Sequence, residues 1–127
     1  MRTDGPPRTA TRTTGAHCEA HAERVLHANG LTTVTRNFNC RVGELDLVML
    51  DRGTLVFVEV RYRRSARFGS AVETIGPTKQ KRILRAAQVY LSRHRQFADH
   101  PCRFDVVGLS GDPSTPVVDW IAGAFSA

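Results

Sequence analysis

Long hydrophobic runs are missing from this 127-residue chain: the longest unbroken apolar stretches, Leu47 to Leu50 and Leu55 to Val58, hold four residues each. A membrane-crossing helix needs about 20, so none is expected. The opening MRTDGPPRTATRTTG has no apolar stretch to serve as a secretory signal. A cytoplasmic location is therefore expected. Cysteine is scarce. Cys18, Cys40 and Cys102 are odd in number and none forms C-x-x-C, which argues against a disulfide framework and a four-cysteine zinc site. They are expected to be small buried or half-buried residues of a reduced protein. Lysine is nearly absent, Lys79 and Lys81 being the only two.

Arginine carries the positive charge instead. Lys and Arg number 18 against 12 Asp and Glu, a formal net charge of +6. That balance favours anionic partners, nucleic acid first, with an acidic membrane surface as the weaker alternative.

Residues 1–14 read as a mobile basic tail and 15–127 as one domain. From Ala16 to Asn29 the apolar spacing is helical, with Cys18, Ala22, Val25 and Leu26 on one side and Gly30 as a stop. Glu19 lies at the edge of that stripe. Three strands follow: Leu31 to Asn39, Val42 to Leu50 and Thr54 to Arg61. On the second, Leu45, Leu47 and Met49 are expected on one face, and Glu44, Asp46, Val48 and Leu50 on the other. On the third, Val56, Val58 and Val60 oppose Leu55, Phe57, Glu59 and Arg61. A long helix is expected from Pro77 or Thr78 to about Arg95, burying Ile83, Leu84, Ala87, Tyr90, Leu91 and His94. Cys102 to Leu109 is a fourth strand and Val117 to Ala122 a weak fifth. The order α-β-β-β-α-β predicts an α/β fold, a mixed sheet flanked by helices.

The chemistry concentrates on strands two and three. If Arg52-Gly53 is a two-residue hairpin loop, Asp46 faces Glu59 and Glu44 faces Arg61. Two carboxylates side by side among Leu, Val and Phe are destabilising unless one takes a proton or a cation sits between them. A hard divalent ion is the simplest remedy. Carboxylate-held metal on a basic protein suggests phosphodiester hydrolysis. Arg61 could bind the scissile phosphate, or simply bridge Glu44. Glu19 could be a further metal ligand, direct or through water.

G-E-L-D at 43–46, F-V-E-V-R at 57–61, R-R-S-A-R-F-G-S after it, K-Q-K-R-I-L-R-A-A at 79–87, R-F-D-V-V at 103–107 and the closing A-F resemble the YraN-type family over about residues 15–125. These are small bacterial proteins to which an endonuclease activity is ascribed. They are related in fold to archaeal Holliday-junction resolvases and the PD-(D/E)XK restriction-endonuclease superfamily. The resemblance implies a restriction-endonuclease-like core, dependence on Mg²⁺ or Mn²⁺, and a structured or branched DNA substrate. Glu19, Asp46 and Glu59 match the family's acids, which makes them the expected metal ligands. Arg61 stands where the superfamily usually has Lys. A guanidinium effectively never loses its proton, so only an electrostatic role is left to it. A nucleic-acid-binding module that keeps the fold without turnover is the alternative. Related resolvases act as dimers, which leaves a homodimer open.

Around this centre, Tyr62, Arg63, Arg64, Arg67 and Phe68 form a basic loop with interleaved aromatics, suited to phosphate contact and base stacking. Lys79, Lys81 and Arg82 open the long helix and are candidate phosphate contacts. Gln80 either bonds into the site or is a boundary residue. His17 and His21 stand four apart but lack the H-E-x-x-H order, so exposed histidines explain them better than zinc. Asp105 is expected to be structural, through Arg or backbone contacts.

Overall fold

Five strands form one sheet in the order β1-β2-β3-β4-β5. They are β1 (Thr32–Cys40), β2 (Gly43–Asp51), β3 (Thr54–Arg63), β4 (Cys102–Ser110) and β5 (Val117–Phe125). Helix α1 (Pro7–Ala28) precedes them, and α2 (Pro77–Arg93) with a short 3-10 turn (Arg95–Phe97) joins β3 to β4. This computed structural model describes residues 7–64 and 75–126, with side chains from residue 15 onward. Strands β1, β2 and β3 are successively antiparallel, β4 runs parallel to β3, and β5 is antiparallel to β4. The parallel pair exists because α2 carries the chain back across the sheet.

The mixed α/β architecture is the one the sequence predicts. Differences lie at the edges of elements. Helix α1 begins at Pro7 rather than Ala16. Proline is well tolerated at a first helical position, where its missing N–H has no partner to lose. Residues 1–6, the start of the expected basic tail, lie outside the described residues. Strand β5 reaches Phe125, three residues beyond its expected end.

Each sheet face is covered by one helix. Cys18, Ala22 and Leu26 of α1 pack with Leu47, Met49, Val56, Val58, Val107 and Leu109. Ile83, Ala86, Ala87 and Tyr90 of α2 pack with Val48, Leu55, Phe57, Phe104 and Val106. Adjacent strand residues therefore serve opposite cores, which is why the central strands read as nearly continuous apolar runs. Tyr90 is fully buried, and its hydroxyl meets that of Thr35 at 2.6 Å. His94 stacks on its ring with centroids 3.9 Å apart. Cys18 is buried and Cys40 half-buried, as expected, but Cys102 is exposed. It opens β4, where the chain first enters the sheet.

The β2–β3 turn fixes the register. Asp51 pairs with Thr54, and Arg52 and Gly53 both have positive φ, 52° and 91°. That is the geometry of a two-residue hairpin loop whose twist matches the strands. At the other end of β2, the Cβ of an alanine at Gly43 would lie 3.1 Å from the Arg82 backbone oxygen. A helix carbonyl cannot move far, so Gly43→Ala is expected to cost about 1–3 kcal/mol in urea denaturation. Unchanged stability would show that the α2–β2 contact yields.

Candidate active site

Strand β2 changes faces at Asp46, and this builds the site. Leu47 belongs to the α1 core and Leu45 to the α2 core. Strict alternation would put both on one face, as the sequence reading expects, so Leu45 is corrected to the α2 side. The cause lies in β1. Asn37 takes a left-handed φ of 53°, a conformation Asn tolerates better than most residues. The β1–β2 pairing passes from Arg36↔Leu47 to Phe38↔Leu45 without an Asn37–Asp46 pair.

The same residue marks a fork between β2 and β3. Their ladder runs from the turn to Leu47↔Val58 and ends one step short of Asp46 and Glu59. Asp46 Oδ2 there accepts the Val60 backbone N–H at 2.8 Å. The expected flat, directly opposed pair is thus replaced by one acid in the seam between the strands and one on the α2 face. The two side chains still act on each other: Asp46 raises the Glu59 pKa through its charge and hydrogen bonding. The ladder also stops before Glu44 could face Arg61; Glu44 is exposed and pairs in register with Asn39 of β1.

Burial and like charge dominate the electrostatics. Glu59 is 5% exposed. Desolvation and the neighbouring Asp46 push its pKa up to about 8, against the pull of Lys79 and Arg61. Desolvation also raises Asp46, opposed by the Val60 N–H and the Glu59 hydrogen bond. Glu19, on α1, is raised to about 7 by partial burial, then by Asp46 and Glu44. Four acids thus feel one another across the open end of the β2–β3 fork.

Lys79 brings a positive charge to the pair. Its Nζ stands 3.5 Å from Glu59 Oε2. The sequence reading put Lys79 only on the outer basic surface; its place in the first turn of α2, beside the end of β3, could not be read from spacing. Gln80 donates its side-chain amide to the Ile75 carbonyl at 3.0 Å, and its backbone N–H reaches the Gly76 carbonyl. It secures the start of α2, the boundary role. Arg61 is half-buried and lowers the Glu59 pKa through its charge. Lys81, Arg82 and Arg64 are exposed. Arg64 lines an open depression of about 430 Å³ with Tyr62, Gly111, Asp112 and Pro113. The Tyr62 hydroxyl donates to the Gly111 carbonyl, and the Gly111 N–H bonds the Arg63 and Arg64 carbonyls, tying the end of β3 to the β4–β5 loop. Arg67 and Phe68 lie outside the described residues.

Glu23, unremarked in the sequence, is a buried acid 8% exposed. It pairs with Arg36 at 2.7 Å and accepts from the Thr33 hydroxyl, bolting α1 to β1. Arg36 and Thr33 hold its pKa below the usual carboxylate range despite desolvation. Its position four residues after Glu19 was the available signal, since i and i+4 share a helix face. Both line a depression of about 180 Å³ with Ala16, Ala20, Arg36, Asn37 and Leu47. Asp105 is structural, as expected. It is fully buried and accepts from Arg103 at 2.9 and 3.1 Å.

Among the described residues no three His, Cys, Asp or Glu side chains form a ready metal-binding group, His17 and His21 included. The fork assembles a pair, Asp46 and Glu59, with Glu19 acting on it at longer range. Hard carboxylate oxygens fit a divalent cation better than a soft metal. No helix among the described residues is long and apolar enough to cross a membrane.

Comparison with known proteins identifies a family. A family model described as "Uncharacterised protein family UPF0102" matches residues 18–109, which include Glu19, Asp46, Glu59 and Lys79. A UPF0102 protein of Stutzerimonas stutzeri is 45% identical over 117 residues, covering 92% of this chain and 98% of its own. One from Nitrosococcus oceani is 47% identical over 114 residues, 90% and 92% of the two chains. One from Pseudomonas syringae pv. tomato is 44% identical over 126 residues, 95% and 98%.

Proposed function

The chain belongs to the uncharacterised protein family UPF0102, and from that premise we propose that it is a metal-dependent endonuclease acting on structured or branched DNA. The observation that carries this reading is the pairing of half-buried Asp46 with buried Glu59 at the open end of the β2–β3 fork, on a domain of net charge +6. Leaving two acids in an apolar seam costs stability, and a cation-binding role is a reason to keep them.

Asp46 and Glu59 would hold Mg²⁺ or Mn²⁺ directly, with Glu19 as a further ligand or through water. When bound, the cation lowers the pKa of a water and neutralises charge on the phosphodiester. This chain's own residues do the rest. The Val60 N–H fixes one Asp46 oxygen, so the carboxylate enters the site in one orientation. Arg61 adds permanent positive charge beside Glu59 for the phosphate. Arg63, Arg64, Lys81 and Arg82 draw the DNA backbone in from outside, a contribution that weakens steeply with salt. Dimerisation through a second copy would let two strands be cut, as a four-way junction requires.

The test is incubation of the protein with a labelled four-way junction and with linear duplex of the same sequence, in Mg²⁺ and in Mn²⁺. Cleavage of the junction over the duplex is expected. Salt-sensitive binding with no cutting in either metal would instead support the DNA-binding module, for which Arg61 in place of an ionisable lysine is the specific argument.

A further inference from the structure

Lys79 is one of only two lysines in the chain and holds a position no surface phosphate contact needs. Its stem is half-buried, with 35% of the side chain exposed, and its ammonium points inward to Glu59 Oε2 at 3.5 Å. Its charge also acts on Asp46. Lysine presents a compact point charge on a flexible four-carbon stem. Such a group can stand beside a carboxylate in one state and swing toward solvent in another. Its backbone sits in the first turn of α2, whose free N–H groups already favour negative charge.

We propose that Lys79 is the built-in counter-charge of the acidic pair, holding the cation's place beside Glu59 and turning its ammonium to a phosphate oxygen once a divalent cation is bound. The proposal rests on the metal-binding reading above. It gives Lys79 two opposed effects, which a purely structural residue would not show. Before cation binding it competes for Glu59. After binding it contacts the substrate.

Calorimetric titration of Mn²⁺ into the wild type, Lys79→Gln and Lys79→Arg tests this, followed by junction binding in Ca²⁺. Lys79→Gln is expected to bind Mn²⁺ roughly tenfold more tightly, since a like charge is removed from beside the site. In Ca²⁺ the same variant should bind the junction several-fold more weakly. Lys79→Arg should restore junction binding without tightening Mn²⁺ binding. Equal or weaker Mn²⁺ binding by Lys79→Gln, with the wild type binding normally, would overturn the Lys79 proposal and leave the metal site intact. A wild type that binds no Mn²⁺ would overturn both. Thermal melts of the three proteins confirm that each is folded during the titration.

Discussion

Glu59→Gln is expected to abolish the proposed junction cleavage, by roughly a thousandfold or more, and to make the metal-free protein more stable at pH 8. On the proposed function, the activity loss follows from removing one of the two carboxylates that would hold the cation. The stability gain follows from linkage. The Glu59 carboxyl titrates at about 8 in the folded chain, raised from an ordinary 4.5 by desolvation and by Asp46. Below 4.5 the acid is neutral in both states and costs nothing. Between 4.5 and 8 the folded chain keeps the proton that the unfolded chain has released, so stability falls as pH rises, at about 1.4 kcal/mol per pH unit at most. Above 8 the loss is complete. Glu19, raised to about 7, adds loss of the same sign over a narrower window. A neutral glutamine avoids the Glu59 part, so the variant should gain roughly 2 kcal/mol or more at pH 8, several degrees in melting temperature. At pH 4.5 the two proteins should melt together. Added Mn²⁺ should raise the wild-type melting temperature at pH 8 far more than that of the variant. A Glu59→Gln protein less stable than wild type at pH 8 would mean the buried acid is not under strain. Full cleavage by it would remove Glu59 from the site.

The opposite sign is expected at Asp105, the other buried acid of the sheet. Asp105→Ala should lose about 3–5 kcal/mol in urea denaturation. The wild-type carboxylate accepts from Arg103 Nε and Nη2 at 2.9 and 3.1 Å, from Trp120 Nε1 at 3.0 Å and from the Gly123 N–H at 3.0 Å. Truncation leaves four donors facing an empty pocket. Arg103 keeps Asp51 at 3.1 Å, so most of the loss should come from the Trp120 and Gly123 donors. Gly123 has a left-handed φ of 64° and lies within the irregular stretch of the β4–β5 pairing, between Ile121 and Phe125. The Asp105 carboxylate thus holds the irregular end of β5 onto the sheet. A loss below about 1 kcal/mol would show that water replaces the carboxylate. Two acids, both buried in the sheet, should therefore respond in opposite directions, because one is satisfied by donors and the other faces a second acid.

That contrast separates the two sources of information. Read as sequence, Glu59 and Asp105 are each a single acid within an apolar strand. The hairpin brought Asp46 and Glu59 together on paper because Arg52-Gly53 is a local signal, and the turn formed as expected. The face change at Asp46 was hidden, because it depends on the Asn37 backbone in a neighbouring strand. Lys79 was hidden for the same reason: it lies 20 positions beyond Glu59 in the chain, and nothing in that interval encodes where the helix starts in space.

Local chemistry thus determined, from sequence alone, the element order, both core faces of β3, the turn and the cluster of acids near residues 44–59. Each depends on side-chain period, φ preference or charge within a few residues. Only the tertiary structure decided that Asp46 lies in the seam, that Glu59 is buried and that a lysine from α2 faces it. Those outcomes depend on desolvation and on charges brought within a few ångströms by chain segments far apart, which no local pattern records.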